Sequence, residues 1–97
     1  MRLPAVNAHE DAIIRVAALT AEAMAMNEAV LSSDLDEATF RAKLIATGAR
    51  SAGYTAVALA SDAVAMRIKL HIAGSGMRFG EALVLLALEL ERINPSR

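Results

Sequence analysis

The chain of 97 residues has no cysteine and no tryptophan, one tyrosine, two phenylalanines and two histidines. Lack of cysteine removes disulfides, thiolate nucleophiles and cysteine-ligated metals from consideration. Only 3% of the residues are aromatic while 56% are hydrophobic, so the apolar surface must come from Ala, Leu, Ile, Val and Met, as in closely packed helices with small side chains at their contacts. A dominant charge is missing too: a net charge of −1 creates no field to gather nucleic acid or an acidic membrane. The longest apolar run, Ala82 to Leu88, is framed by Glu81 and Glu89 and falls far short of the ~20 residues that a membrane span needs. The start MRLPAVNAHED has no apolar core behind its charge and does not read as a secretory leader. These features predict a cytoplasmic protein with no membrane partner. Eight Arg against two Lys, with abundant Ala, suggest a GC-rich bacterial coding bias.

This length fits one domain with one modest core: residues 1–97, of which 1–6 read as an N-terminal extension and 94–97 as a tail. Period-two alternation is absent over any useful length, which argues against strands. The hydrophobic spacing predicts an all-α, four-helix bundle-like domain with helices at about 8–31, 35–46, 51–73 and 77–93, the third central. Asn7 followed by Glu10 is a capping-box start for helix 1, whose expected core stripe is Ile13, Val16, Ala17, Thr20, Met24, Asn27 and Leu31. Asp34 caps helix 2, with Leu35, Ala38, Ala42 and Ile45 on one face and Phe40 and Leu44 on the other. Thr47-Gly48 is the expected stop of helix 2, Gly74-Ser75-Gly76 separates helices 3 and 4, and Pro95 ends helix 4.

Helix 3 is apolar on two sides. Tyr54, Val57, Ala58, Ser61, Val64, Ala65, Ile68 and Ile72 form a core stripe, yet Leu59, Ala63, Met66 and Leu70 form a second series at steps of four, three and four, a seam in its own right. Asp62 and Lys69 border it on one edge and Arg67 and His71 on the other. Helix 4 faces the core with Phe79, Ala82, Leu83, Leu86, Leu90 and Ile93, leaving Val84, Leu85 and Leu88 behind. A helix apolar all round is normally buried all round. The seam residues Leu59, Ala63, Met66, Leu70, Val84, Leu85 and Leu88 are therefore the expected interface with a second copy, the commonest oligomer, or with another protein. Burying Leu59, Met66, Leu70, Leu85 and Leu88 contributes roughly 7–15 kcal/mol against an association cost of about 4–15 kcal/mol. Neighbours such as Phe40 and Leu44, or Ala63 and Val84, must then join.

Motifs for chemistry are few, and no catalytic residue, metal site or cofactor is expected. His9-Glu10 opens like HExxH, but Ile13 stands where the second ligand belongs. His71 suits the C-terminal turn of a helix, where a cation meets the dipole. Residues 1–37 carry seven acids against Arg2 and Arg15, and residues 38–80 carry six bases against Asp62 alone. The plain expectation is that the acidic first helix neutralises the basic middle. Two alternatives use those bases. Residues 38–57 read as helix, glycine turn and helix, a helix-turn-helix-like DNA-binding regulator contacting nucleic acid through Arg50, Tyr54 and Thr55 with Arg41 and Lys43; Leu44 in place of the usual small residue weakens it. The second is a small dimeric helical enzyme whose anion pocket is lined by Arg67, Lys69 and Arg78, with Ser75 and Arg78 at the head of helix 4. The leading expectation is a small helical interaction module, homodimeric, acting as an adaptor, regulator or neutralising partner without catalysis.

Overall fold

The computed structural model describes residues 4–95, with side-chain surroundings from residue 8 onward. Four helices follow one another: α1 (Pro4–Leu31), α2 (Leu35–Ala52), α3 (Thr55–Ile72) and α4 (Gly80–Arg92). No strand occurs among the described residues. The helices form an elongated bundle of 55 × 22 × 21 Å. Helices α2 and α3 make the most extensive contact, α1 packs on α2 and α4 on α3, and α1 barely meets α4. The expected all-α bundle is therefore present, with α2 and α3 together as its spine.

Small residues set the spacing between helices. The buried face of α2 is Ala38, Ala42, Ile45, Ala46 and Ala49 with Thr39, and α3 answers with Val57, Ala58, Ser61, Val64, Ala65 and Ile68. Met26, Ile45, Ile68 and Leu86, one from each helix, are the largest side chains fully removed from water. The two buried hydroxyls stay satisfied within their own helices: Ser61 Oγ donates to the Val57 carbonyl at 2.8 Å and Thr39 Oγ1 to that of Leu35 at 2.9 Å. Neither needs a cross-helix partner, so the core seals without a polar network.

Three boundaries differ from expectation, each for a local reason. Helix α2 does not stop at Thr47-Gly48. It runs on to Ala52, because Gly48 serves a close approach: a Cβ there would lie 3.1 Å from Leu19 Cδ2 on α1. The stop is Gly53, at φ +86°, with nothing within 4 Å of where its Cβ would be. Its left-handed backbone lets the Tyr54 N–H reach the Ala49 carbonyl at 2.8 Å, the Schellman closure. The same closure ends α1, where the Asp34 N–H reaches the Ala29 carbonyl at 2.8 Å, and α3, where the Ser75 N–H reaches that of Leu70 at 3.1 Å. Residues 51 and 52 consequently belong to α2, and α3 begins at Thr55. Helix α4 starts at Gly80, not at residue 77, since the connecting segment is tied to α3: Ser75 Oγ donates to the Leu70 carbonyl at 2.8 Å and accepts the Met77 N–H at 3.2 Å. At the other end, α1 begins at Pro4, a residue suited to the first helical turn, and passes through Asn7 without a break. Residues 1–3 of the expected extension and 96–97 of the expected tail lie outside the described residues. Asp34 does cap α2 as expected, its side chain accepting the Glu37 N–H at 3.2 Å.

The larger correction concerns α1. Its core stripe is Val16, Leu19, Ala23, Met26 and Ala29, with Val30 half-buried. Of the expected stripe only Val16 is buried; Ile13, Ala17, Thr20, Met24, Asn27 and Leu31 are exposed. Both series have the spacing of a helical face, and α2 selects between them. Leu19 fits over Gly48, and Glu22 reaches Arg41 at 2.9 Å. A helix with two apolar faces has no unique orientation until a neighbour is placed.

The αL position at the end of α1 is held by Ser33, at φ 61°, the one described non-glycine residue with positive φ. An L side chain there costs about 1–2 kcal/mol. Ser33→Gly is expected to raise the unfolding free energy by about 1 kcal/mol, and Gly53→Ala to lower it by a similar amount, both read from the midpoint of a urea titration.

Candidate interaction face

Side by side, α3 and α4 turn a common outer surface to solvent. Leu59, Met66 and Leu70 on α3 and Val84, Leu85 and Leu88 on α4 are each between 38% and 63% exposed, and Ala63 is half-buried between the two series. A groove between the helices is lined by Ala56, Ala60 and Ala63 on one wall, by Ala82 and Leu85 on the other, and by Arg67, Glu81 and Glu89. Short side chains along its α3 wall leave the depression into which a ridge of another helix fits. None of the seven seam residues expected from the sequence belongs to the core cluster; Ala63 and Leu85 line this groove, while Met66 and Leu70 border a depression on the α2 side of α3. Phe40 and Leu44, considered as neighbours of the seam, are also exposed, but on α2; the Arg41 guanidinium lies 5.9 Å from the Phe40 ring centre. Ile72, expected in the core of α3, is about half exposed, because α3 ends there and the chain turns away.

The charged residues around the seam are partly engaged within the chain. Arg50 Nη2 donates to Asp62 Oδ2 at 2.6 Å, joining the end of α2 to α3. Lys43 and Lys69 share a shallow depression with Asp62, Met66 and Leu70. Arg67 Nη1 spans to the Arg78 carbonyl and the Met77 sulfur, both at 3.5 Å. His71 Nδ1 donates to the Met77 carbonyl at 3.0 Å, and its ring meets Phe79 edge-on at 5.1 Å. His71 therefore ties down the connecting segment instead of capping the end of its own helix. On the far side, Arg41 Nε donates to Glu37 at 2.7 Å and Nη1 to Glu22 at 2.9 Å. These two hydrogen bonds hold the Arg41 pKa above its ordinary value. Among the described residues, Glu22 with Arg41 is the one ion pair between the acidic first helix and the basic middle, so the expected neutralisation between them is local.

The residues considered for anion or nucleic-acid contact do not converge. Arg50, at the end of α2, and Tyr54 and Thr55, at the start of α3, lie at one end of α3 and Ser75 and Arg78 beyond its other end, roughly 27 Å away along an 18-residue helix. Arg50 is paired with Asp62, and Tyr54 is half-buried against the core. Ser75 bonds backbone groups on both sides. Arg67, Ser75 and Arg78 do border one shallow depression, which Glu81 shares, whereas Lys69 opens toward α2. Among the described residues no three or more His, Cys, Asp or Glu side chains are grouped as a metal site would require, and no described helix is long and apolar enough to cross a membrane. Comparison with known protein families, with curated proteins and with solved structures finds no match.

Two residues on α3 separate the outer face from the core. Met66 is 63% exposed and Ile68 fully buried. Met66→Gln is expected to change stability by less than about 0.5 kcal/mol, while Ile68→Ala lowers it by about 2–5 kcal/mol. Chemical denaturation of the two variants checks the assignment.

Proposed function

We propose that this protein is a helical protein–protein interaction module that works through the outer face of α3 and α4, pairs there with a second copy of itself, and serves as an adaptor, regulator or neutralising partner without catalysis. The observation that carries this reading is the exposure of Leu59, Met66 and Leu70 on α3 and of Val84, Leu85 and Leu88 on the adjacent α4, all large and apolar. These two series differ in the charge beside them. Along the groove the α3 side offers Arg67, and the α4 side offers Glu81, with Glu89 paired to Arg92 at 3.1 Å. A twofold axis that places α3 of one copy against α4 of the other brings these opposite charges together, which an isologous interface requires of its own surface.

The magnitudes suit a reversible dimer. Side chains about half exposed contribute on the order of 1 kcal/mol each when covered, and symmetry counts each of the six twice. The resulting ~12 kcal/mol is comparable with the upper part of the association cost of about 4–15 kcal/mol. The small groove wall of Ala56, Ala60 and Ala63 adds close contact. The alternatives have less to rest on. A DNA-reading helix would use Arg50, which Asp62 already engages, and an anion pocket around Arg67 and Arg78 would share its space with Glu81.

Sedimentation velocity over a concentration series tests the proposal. The mass is expected to rise from monomer toward dimer with concentration. Leu59→Glu and Leu85→Glu should each hold the protein at monomer mass with its helical circular dichroism retained. A wild-type chain that stays monomeric at millimolar concentration sinks the self-pairing reading.

A further inference from the structure

Helices α2 and α3 are joined by a short turn at Gly53 and Tyr54, and an ion pair fixes their register: Arg50 on α2 reaches Asp62 on α3 at 2.6 Å. Lys43 stands seven residues back along α2 from Arg50, and Lys69 seven residues on along α3 from Asp62. In an antiparallel pair of helices these two places correspond, about two turns or roughly 10 Å beyond the ion pair. The two lysines accordingly line one depression, together with Asp62, Ala65, Met66 and Leu70. Ala65 is buried there, while Met66 and Leu70 leave apolar surface open to solvent.

The uncompensated charge of this depression has one sign. Its charged lining residues are Lys43, Asp62 and Lys69, and the Asp62 carboxylate already accepts a hydrogen bond from Arg50 Nη2. Neither lysine takes part in any ion pair among the described residues, nor in any other polar contact there. Two ammonium groups brought to one depression repel each other. The register that gives Arg50 a carboxylate thus gives Lys43 a second cation. Other depressions lack this arrangement. The slot between α1 and α4, bordered by Met24 and Leu83, has Glu91 as its one charged lining residue, which is engaged within the chain. At the head of α4, Arg67 and Arg78 share their depression with Glu81.

We propose that the depression between α2 and α3 binds an acidic amphipathic helix of a different protein, which lays an apolar side chain on Ala65, Met66 and Leu70 and sets carboxylates on Lys43 and Lys69. A helix with an apolar side chain flanked by Asp or Glu on one face carries those groups at the spacing of a single turn. Each ammonium then gains a charge-assisted hydrogen bond, and the repulsion between the lysines is relieved. Phosphate chains and anionic membranes match this surface less well. Membrane-recognising clusters hold about four to eight bases, whereas here two stand beside the carboxylate of Asp62. The proposal goes beyond self-pairing on α3 and α4 and does not rest on it, although Met66 and Leu70 belong to both surfaces.

The test uses the full chain and a fluorescein-labelled 18-residue helical peptide with Leu and Ala on one face and Glu along both borders, followed by fluorescence anisotropy. Saturable binding is expected, weakening tenfold or more with Lys43→Glu or Lys69→Glu and weakening as salt is raised. The same peptide with Lys in place of Glu should bind at least tenfold more weakly, and the chain carrying both substitutions should reverse that preference. Lys43 and Lys69 are exposed, and unchanged helical circular dichroism verifies that the variants are folded. Leu85→Glu, on α4, should bind the Glu peptide at least as tightly as the unaltered chain. Five outcomes overturn the proposal: no saturable binding, equal binding of the two peptides, full binding by both single-lysine variants, tighter binding of short duplex DNA than of the Glu peptide, or loss of a dimer with Lys43→Glu in sedimentation, which would assign the depression to a second copy. A wild-type chain that stays monomeric leaves the anisotropy prediction intact, so the two readings fall separately.

Discussion

Close approach of helices through alanine governs this protein. The face of α2 that meets α1 and α3 is built of Ala38, Ala42, Ala46 and Ala49 around Ile45, and Gly48 lets Leu19 of α1 come within a distance that a Cβ would contest. Small side chains draw the helix axes together and hold dispersion contacts at full strength. They also limit the volume inside. A narrow core accepts one large residue from each helix at its centre, Met26, Ile45, Ile68 and Leu86, and little more. Leu19 and Leu90 are also buried, but most other Leu, Met and Ile side chains lie at least partly outside, where they form ordered stripes instead of scattered spots.

Those stripes make the outer surface informative. Single exposed apolar residues are ordinary on a soluble protein, but here they are grouped by helix. One group lies on α3 and α4, beside a groove that Arg67, Glu81 and Glu89 line. The other runs along α1, where Ile13, Ala17, Thr20, Met24, Asn27 and Leu31 are all exposed. The ion pairs among the described residues are local: Glu22 and Glu37 are spent on Arg41, Asp62 on Arg50 and Glu89 on Arg92.

Much of the fold was legible because helix periodicity and capping are local. Asp34 caps α2 through its own side chain, and the core stripes of α2, α3 and α4 follow directly from apolar spacing. The exposure of Leu59, Met66, Leu70, Val84, Leu85 and Leu88 was legible for the same reason: once a core stripe is assigned, what remains apolar stands out. The end of α2 was not. Gly48 and Gly53 are both plausible stops, and which one breaks the helix depends on Leu19, which approaches from another helix. The role of His71 was likewise hidden, since it bonds the Met77 carbonyl across the loop that follows α3.

By itself the sequence determined four helices, a core poor in aromatics, and a surplus of apolar stripe beyond what one small bundle can bury. Tertiary structure decided which of the two stripes on α1 turns inward, because both have the same spacing and only the fit of Leu19 on Gly48 and of Glu22 on Arg41 distinguishes them. That choice opens the slot beside α4. Local propensity is indifferent to a rotation of 100° about a helix axis; packing against a neighbour is not.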